Sequence, residues 1–278
     1  MDLASEIERN VAAALAEDVG DGDATAPLTP AGQPARAAVV CKQDAVVCGQ
    51  PWFEACFRKL DARAAVTWLV REGAKVSAGA RVCEVRGEAR ALLAAERSAI
   101  NFLQTLSAVA TATRRLVDAA VGTRAKIVDT RKTLPGLRVA QKYAVRMGGG
   151  ANHRMGLYDA MLIKENHIAA AGGVRQALAQ AKKAAKPGVW VQIEVENLDQ
   201  LKEALDAGAT MILLDNMSVE TTREAVKIAG DRAELEASGG ITLDTVRAVA
   251  ETGVHRISSG GLTKDIKAVD FSMRFEPS

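Results

Sequence analysis

The segment TMILLDNMSVETTREAVKIAGDRAELEASGG, residues 210–240, is typical of a strand, a helix and a second strand in succession. Its two ends carry short apolar runs that stop at polar or glycine-rich residues, which indicates buried strands. The middle part, SVETTREAVKIAG, is amphipathic and closes at Gly230, the residue type expected at a left-handed helix terminus. The segment therefore predicts one strand–helix–strand unit of a parallel sheet.

The same unit recurs along the second half of the chain. Further apolar runs with polar or glycine-rich ends stand at AKIVDT (125–130), AMLIKEN (160–166), VWVQIEVEN (189–197) and HRISSGG (255–261). They follow one another at spacings of about 21 to 35 residues, and their nearly continuous apolar character indicates a sheet covered on both faces. We expect an incomplete α/β barrel of parallel strands; an open doubly wound sheet is the alternative.

The first part of the chain has a different pattern, which predicts an α+β unit. We expect a helix over 5–20, a strand or strand pair over 35–49, a helix over 51–60, a hairpin over 66–87 with its turn at Ser77–Gly79, and a long helix over 91–120. The predicted organisation is an N-terminal α/β sandwich domain, 1–110, followed by the α/β barrel domain, 111–267. The last segment, 268–278, alternates like a strand, and its return to the first domain is a hypothesis.

Composition excludes several classes of protein. Of 278 residues, 48% are hydrophobic and 25% are charged, which is the balance of a globular protein with a sizeable core. We find no apolar run of about 18 residues and no secretory signal, so neither membrane insertion nor secretion is expected. The four cysteines match no metal or redox spacing, which favours a reducing cytoplasm. Aromatic residues make up only 4%, which argues against a platform that stacks nucleic-acid bases.

The residues that close the predicted strands should face one mouth, where barrel enzymes place their active sites. These residues are Asp129–Lys132, Lys164–His167, Glu194 and Glu196, Asp215 and Asn216, Ser238–Gly240, and Ser258–Gly261. One side of the mouth supplies cations, the middle supplies carboxylates, and the last two strands supply Ser-Gly turns. These groups complement one another at a single site, and the cations indicate an anionic partner.

The cations are concentrated far beyond the chain's net charge of +2. Between positions 130 and 158 there is no Asp or Glu, while six basic residues fall there: Arg131, Lys132, Arg138, Lys142, Arg146 and Arg154. Arg131, Lys132, His153 and Arg154 could clamp planar carboxylates, because Arg offers bidentate geometry and Lys a point charge. The alternative is a solvated basic face.

The other strand ends indicate a metal and phosphates. Glu194 and Asp215 could bind Mg²⁺, which takes few carboxylates and keeps its waters. The turns Ser238–Gly240 and Ser259–Gly261 could hold phosphate through backbone N–H groups. The alternatives are surface carboxylates paired with lysines, and glycines that only make tight turns.

Lys164 supports a competing hypothesis. A lysine at the end of a barrel strand, after the apolar AMLI, is where a Schiff-base aldolase keeps its nucleophile. The nearby cations and two phosphate turns exceed what such an aldolase needs. A binding protein for a phosphorylated metabolite, without catalysis, is a third hypothesis, but it leaves Glu194 and Asp215 without a role.

Long motifs then give a family resemblance. The stretch DTRKTLPGLRVAQKYAVRMGGGANHRMGLYDAMLIKENH (129–167) resembles the signature of the quinolinate phosphoribosyltransferases, also called nicotinate-nucleotide pyrophosphorylases. The resemblance continues through IEVEN, LLDNM, EASGGI and ISSGGLT to AVDFSMRF, and it includes EDVGDGDATA and AAERSAINFLQTLSAVATAT. It spans nearly the whole chain.

The resemblance implies a reaction and a set of roles. Family members join quinolinate to phosphoribosyl pyrophosphate in NAD biosynthesis and release pyrophosphate and CO₂, with Mg²⁺, as homodimers with an α/β sandwich beside an open barrel. The carboxylates of quinolinate would be held by Arg131, Lys132, His153, Arg154 and Lys164, with Arg97 reaching the same pocket from the partner subunit, and Thr130 would be a further substrate-binding residue. Glu194 and Asp215 would serve the ribose and the metal, and Ser238, Gly239, Gly240, Ser259, Gly260 and Gly261 the phosphate. The catalytic residues would be Lys132, Lys164, Glu194 and Asp215.

The chain departs from the family at one position, where members often have His and this sequence has Lys264. Either cation could contact phosphate, so only that contact is in doubt. Two relatives share much of the pattern: a protein associated with molybdenum transport genes, and nicotinate phosphoribosyltransferase, whose substrate has one carboxylate fewer. The crowded cations favour the dicarboxylate.

Overall fold

The computed structural model describes residues 2–276; Met1, Pro277 and Ser278 lie outside the described part, and with them the end of the predicted segment 268–278. The chain divides into two compact units. One, called here the N-terminal unit, comprises the residues up to 114, 134–149 and those from 265 onward. The other, called the barrel unit, comprises 115–133 and 150–264.

The N-terminal unit contains an antiparallel sheet. Its strands, numbered along the whole chain, are β1 (Pro34–Cys41), β3 (Ala65–Trp68), β5 (Arg81–Glu88) and β12 (Phe271–Phe275), in the order β12-β1-β5-β3. In β1 the side chains of Ala37, Val39 and Cys41 are buried and alternate with more exposed ones, the pattern of a sheet with one covered face. The C-terminal strand β12 pairs with β1 in register Ala37 to Phe275.

The predicted hairpin over 66–87 is wrong in one respect. Strands β3 and β5 do pair antiparallel, but a short strand β4 (Lys75–Val76) lies between them in sequence and pairs with β2 (Ala45–Val46). The turn at Ser77–Gly79 is present, since the Ala80 N–H donates to the Ser77 carbonyl. The segment before β4 is also held next to β2, because the Gly73 N–H donates to the carbonyl of Val47, 2.8 Å away.

The helices of the first part begin and end close to the predicted positions. They are α1 (Leu3–Val19), α2 (Gln50–Leu60) and α3 (Ala89–Ala119), with a 3₁₀ turn at Ala26–Leu28. The segment 134–149 adds α4 (Arg138–Met147), which was not predicted. The carboxylate of Asp2 caps α1, and Gly20 ends it with φ 54°. In α3 the side chains of Ile100, Phe102, Leu103 and Leu106 are all buried in the core of the N-terminal unit.

The barrel unit confirms the predicted parallel architecture. Its strands are β6 (Lys126–Val128), β7 (Ala160–Ile163), β8 (Trp190–Val195), β9 (Met211–Asp215), β10 (Glu234–Ser238) and β11 (Arg256–Ser258). They pair in parallel in the order β6-β11-β10-β9-β8-β7, and within the described residues β6 and β7 form the two open edges. From β7 to β11 each strand neighbours the next one in sequence, and β6, the first strand, lies beside β11, the last. A doubly wound sheet would reverse its order midway, so the incomplete barrel is the correct alternative.

From β7 onward helices separate the barrel strands, as the repeated unit predicts, whereas α4, between β6 and β7, belongs to the N-terminal unit. The helices from β7 onward are α5 (Glu165–Ala171), α6 (Val174–Ala184), α7 (Leu198–Asp206), α8 (Val219–Ala229), α9 (Val246–Ala250) and α10 (Gly261–Lys264). Asn197 and Ser218 cap α7 and α8 through their side-chain oxygens. The predicted closing glycine, Gly230, has a positive φ, and so do Gly208 after α7 and Gly253 after α9. No helix among residues 2–276 is both long and apolar enough to span a membrane.

A half-buried carboxylate organises the start of α2. Glu72 accepts the N–H groups of Gly49 at 2.8 Å and Gln50 at 3.2 Å, which are unsatisfied donors at a helix N-terminus. Burial raises the pKa of Glu72 above its ordinary value, and these N–H groups, with Cys48 and Tyr143, oppose the rise without cancelling it. The folded state therefore binds a proton at Glu72 more tightly than the unfolded chain does.

This proton affinity predicts a pH dependence of stability. Because the folded-state pKa of Glu72 is raised, its contribution to stability is fully present below the unfolded value of 4.5 and is lost as pH rises through the folded value. We expect the free energy of unfolding of the wild type, relative to Glu72→Gln, to fall as pH is raised from 4.5 upward. Urea titrations of both proteins at several pH values measure this difference. A difference that is flat or rises with pH contradicts the assignment.

Candidate active site

The cationic side of the barrel mouth contains two guanidinium groups that repel each other. The side chain of Arg154 is only 8% exposed, and its Nη1 donates to the carbonyl of Ala160, 3.0 Å away. Burial and then the positive charge of Arg131 lower the pKa of Arg154, while Asp159 acts in the opposite direction. The charge of Arg131 at the end of β6 is thus felt by Arg154 on the loop before β7. An anion between or beside these groups would relieve both the desolvation and the repulsion.

A fully buried carboxylate fixes the loop that carries Arg154. Asp129 follows β6 directly and accepts the N–H of His153 at 2.9 Å and the amide of Asn152 at 2.6 Å. The side chain of Asp159 closes the other end of this loop by accepting the N–H groups of Met155 and Gly156. Two acidic residues therefore hold the backbone on either side of Arg154.

The middle of the mouth brings together two of the predicted carboxylates and one lysine. Lys164 Nζ lies 3.4 Å from Glu194 Oε2. Burial raises the pKa of Glu194; the charge of Lys164 acts against this rise, and that of Asp215 adds to it. Glu194 consequently lies between a cation and a second carboxylate. The backbone of Lys164 is held as well, since its N–H donates to Nδ1 of His167 at the first turn of α5.

Asp215 is held by its sequence neighbour. Asn216 Nδ2 donates to Asp215 Oδ2 at 2.9 Å, and the Asn216 N–H donates to the Ser238 carbonyl at the end of β10, also at 2.9 Å. Among residues 2–276, Asn216 is the one non-glycine residue with positive φ, 52°. A Cβ on Gly239 would collide with Oδ1 of Asn216. One strained residue thus connects the carboxylate on β9 to the Ser-Gly turn after β10.

The second Ser-Gly turn approaches the end of β6. A Cβ on Gly260 would lie 2.9 Å from Cδ of Lys132 and 3.5 Å from Oγ1 of Thr130. Thr130 Oγ1 accepts the Lys132 N–H, and Thr263 Oγ1 donates to the Lys132 carbonyl. The N–H of Ser259 donates to Val128 at 3.1 Å, so it is engaged within the sheet. Thr130, Lys132 and the turn at Ser259–Gly261 are therefore neighbours.

Not every predicted cation belongs to this cluster. Arg97 is an exposed residue of α3 in the N-terminal unit. Arg138, Lys142 and Arg146 lie on α4, which also belongs to that unit. The barrel mouth itself carries Arg131, Lys132, Arg154 and Lys164.

Sequence reasoning missed several residues that shape the site. It named Asp129 and Asn216 only as strand ends, without a role, and it did not single out Asp159, Gln192 or Glu236. Gln192 and Glu236 each lie between two apolar residues of a barrel strand and are 1% exposed. A polar residue between two apolar neighbours in a barrel strand was the signal that could have found both.

Comparison with known proteins decides the family. The domain family "Quinolinate phosphoribosyl transferase, C-terminal domain" matches residues 109–274, and "Quinolinate phosphoribosyl transferase, N-terminal domain" matches residues 23–107. Together these matches cover most of the chain. The chain belongs to the quinolinate phosphoribosyltransferase family.

Named relatives agree over almost the full length. A probable nicotinate-nucleotide pyrophosphorylase (carboxylating) of Bacillus subtilis is 42% identical over 257 residues, which are 92% of this chain and 89% of the relative. A mitochondrial quinolinate phosphoribosyltransferase (decarboxylating) of Nicotiana tabacum is 40% identical, over 95% of this chain and 80% of the relative. The structure of the nicotinate-nucleotide pyrophosphorylase from Francisella tularensis matches with a TM-score of 0.95 at 44% identity, covering 99% of this chain and 98% of that one.

The contact between Asn216 and Gly239 gives a prediction for this quinolinate phosphoribosyltransferase family member. Gly239→Ala places a methyl group against Asn216 Oδ1 at φ 101°, whereas Gly240→Ala, at φ 61°, meets nothing within 4 Å. Both variants carry the cost of a left-handed alanine, roughly 1–2 kcal/mol. Only Gly239→Ala adds overpacking, roughly 1–3 kcal/mol more. Denaturant unfolding of the two variants measures the difference, and equal stabilities refute the contact.

Proposed function

We propose that the chain joins quinolinate to phosphoribosyl pyrophosphate and releases pyrophosphate and CO₂, giving nicotinate mononucleotide for NAD biosynthesis. It is then a decarboxylating pentosyltransferase, the activity for which its family is named. One observation carries the assignment to this pocket: the buried guanidinium of Arg154 lies within the electrostatic reach of Arg131. A pocket in which two guanidinium groups repel each other favours an anion of more than one charge.

Quinolinate is such an anion, because it carries two adjacent carboxylates. Arg131 and Arg154 suit one or both through charged, forked hydrogen bonds, and Lys132 and Lys164 add point charges nearby. Nicotinate has one carboxylate fewer and would leave part of this repulsion unrelieved. The cations therefore favour the dicarboxylate over the nicotinate used by the related phosphoribosyltransferase.

The carboxylates suit the other half of the reaction. As pyrophosphate leaves, C1′ of the ribose gains positive charge, and the fixed negative charges of Glu194 and Asp215 stabilise it. Burial of Glu194 makes this charge more effective than it would be in water. Lys164, at 3.4 Å, keeps Glu194 oriented within the pocket.

The donor set also fits Mg²⁺. The charge of Asp215 acts on Glu194, and no group of three or more His, Cys, Asp or Glu side chains that could hold a metal occurs among residues 2–276. Mg²⁺ is commonly held by one or two carboxylates, with substrate phosphates and waters as its other ligands. When bound, the metal supplies positive charge that neutralises the departing pyrophosphate.

Phosphate binding falls to the two Ser-Gly turns. Because the Ser259 N–H is engaged by Val128, the backbone donors for phosphate in the second turn are those of Gly260 and Gly261. Lys132, which lies against Gly260, adds a charge there. In the first turn Ser238, Gly239 and Gly240 supply the corresponding donors. Lys264 is exposed in the last turn of α10, which follows the second Ser-Gly turn, and it is a further cation for the phosphate bound there.

No covalent nucleophile is needed for this chemistry. The ring nitrogen of quinolinate attacks C1′ as the bond from C1′ to pyrophosphate breaks. The positive charge of the resulting pyridinium stabilises the carbanion left on the adjacent ring carbon when its carboxylate departs as CO₂, and a proton from water then takes the place of that carboxylate. The protein's part is to position two substrates and to supply fixed charge. Lys164, in its ion pair with Glu194, acts as a cation in this scheme, which separates it from the nucleophile of a Schiff-base aldolase.

We propose in addition that the protein works as a cytoplasmic homodimer in which Arg97 completes the neighbouring site. Family resemblance is the support for this part. The apolar residues of α3 do not add support, because Ile100, Phe102, Leu103 and Leu106 are buried in the chain's own core. The exposed position of Arg97 is compatible with reaching a partner.

Product analysis tests the function. Purified protein is supplied with phosphoribosyl pyrophosphate, Mg²⁺ and either quinolinate, nicotinate or nicotinamide, and products are identified by mass spectrometry. We expect nicotinate mononucleotide and one CO₂ per nucleotide from quinolinate, because only the dianion satisfies Arg131 and Arg154 together. Equal turnover of nicotinate would sink the dicarboxylate assignment. A borohydride-stable adduct on Lys164 would instead support the aldolase.

Complementation between mutants tests the shared site. Arg97→Ala and Lys164→Ala dimers should each be nearly inactive. In a mixed dimer one site carries both lesions and the other carries neither. Denaturing, mixing equal amounts and refolding should restore about one quarter of wild-type activity, since half of the dimers are mixed and each has one intact site. Activity that stays near zero shows that Arg97 serves its own subunit or that no mixed dimer forms; native mass spectrometry of the mixture separates the two.

A further inference from the structure

A buried row of polar side chains crosses the interior of the barrel beneath the cations. His153 Nε2 lies 3.0 Å from Gln192 Oε1, and Gln192 Nε2 donates to Glu236 Oε2 at 3.1 Å. The three side chains come from the loop before β7, from β8 and from β10, and they are 8%, 1% and 1% exposed. Burying polar groups in an apolar barrel has a large desolvation cost, which their mutual hydrogen bonds offset only in part. A connected row of such groups therefore indicates a role beyond packing.

The two ends of the row fix the direction of every hydrogen bond in it. The N–H of Arg154 donates to Nδ1 of His153 at 2.8 Å, so Nδ1 offers a lone pair and carries no proton. The ring proton then lies on Nε2, which donates to the Gln192 oxygen. The Gln192 amide nitrogen is thereby turned toward Glu236, whose carboxylate oxygen accepts. Along the row, each donor therefore faces an acceptor.

This direction changes the role expected of His153. The sequence suggests a cation that clamps a substrate carboxylate, yet Nδ1 accepts the Arg154 N–H, which is the arrangement of a neutral imidazole. Nε2 faces protein groups as well, since it lies 3.0 Å from Gln192 Oε1 and 3.7 Å from Glu236 Oε2. The ring also meets Trp190 edge to face, with centroids 5.1 Å apart. Meanwhile Nδ1 holds the backbone N–H of Arg154, the residue whose guanidinium faces the repulsion of Arg131.

We propose that Glu236 and Gln192 are positioning residues that lock His153 in its neutral Nε2–H form, so that His153 holds Arg154 in place for quinolinate instead of binding a carboxylate itself. The identity of the substrate in this statement rests on the proposed function, whereas the state of the His153 ring does not. Asp129 contributes from the other side by holding the His153 N–H.

Nitrogen NMR of the imidazole rings tests the first half. The chain has three histidines, so His167→Gln and His255→Gln assign the signals of His153 by subtraction. In the wild-type protein we expect one pyridine-type nitrogen, Nδ1, and one protonated, pyrrole-type nitrogen, Nε2. Glu236→Gln and Gln192→Met should each give a mixture of tautomers. A doubly protonated His153, or a proton on Nδ1, in the wild type overturns the proposal.

Steady-state kinetics test the second half. Glu236→Gln keeps the shape of the side chain, and Gln192→Met keeps its length without its hydrogen bonds. We expect KM for quinolinate to rise about tenfold in both, while KM for phosphoribosyl pyrophosphate stays within about twofold; tenfold corresponds to about 1.4 kcal/mol of binding. The matched control is Glu234→Gln, on the same strand two residues earlier, where the exposed Glu234 pairs with Arg256. This control should leave both constants unchanged.

The outcomes separate the two levels of the proposal. If the wild type turns over no quinolinate, the proposed function and the role of Arg154 in it fail together, while the NMR result still judges the hydrogen-bonded row. If quinolinate is turned over but both KM values rise equally, Glu236 and Gln192 only support the fold, and the positioning role is refuted. Should Gln192→Met not fold, the isosteric Glu236→Gln decides alone.

Discussion

The buried carboxylate of Asp129 is the contact on which the cationic site depends. It follows β6 directly, is fully buried, and accepts the N–H of His153 and the amide of Asn152. The loop it holds carries Arg154, whose charge is opposed by burial and by Arg131. Two repelling cations stay in a fixed geometry only if their backbones are held by contacts stronger than the repulsion. An acceptor-only carboxylate on the end of a strand meets that requirement.

The arrangement follows a common electrostatic logic. Each charged group that would face substrate is oriented by a partner at the edge of the pocket: Glu194 by Lys164, Asp215 by Asn216, and Arg154 by the loop between Asp129 and Asp159. Holding the charges in advance means that little reorganisation is left for the reaction itself. Holding Asp215 in this way places the backbone of Asn216 in a strained conformation with positive φ. The hydrogen bonds made by the Asn216 main chain and side chain offset that strain.

Much of this could be predicted from sequence, because a parallel barrel converts linear position into spatial position. Any residue that closes a strand arrives at one rim, so Arg131, Lys164, Glu194 and Asp215 could be grouped from the apolar runs before them. The hydrogen-bonding direction within the rim could not be predicted in this way. It depends on which side chains meet across nonadjacent strands, as Gln192 and Glu236 do across β9, and period-2 alternation places a residue on a face without naming its partner.

A run of charged or apolar residues in the sequence likewise does not say which part of the fold those residues join. The run of cations between 130 and 158 suggested one cluster, yet the chain leaves the barrel unit after 133 and returns at 150, so Arg138 and Arg146 belong to the N-terminal unit with α4. In α3, apolar residues lie on several sides of the helix, and Ile100, Phe102, Leu103 and Leu106 are buried in the chain's own core.

Periodicity reports that a face is buried but not by what, because the hydrophobic effect has no direction and any apolar surface satisfies it. Hydrogen bonds and charges are directional and demand specific partners. The hydrogen-bonded row through Gln192 and Glu236 is therefore more informative about the ligand of this barrel than its apolar core is.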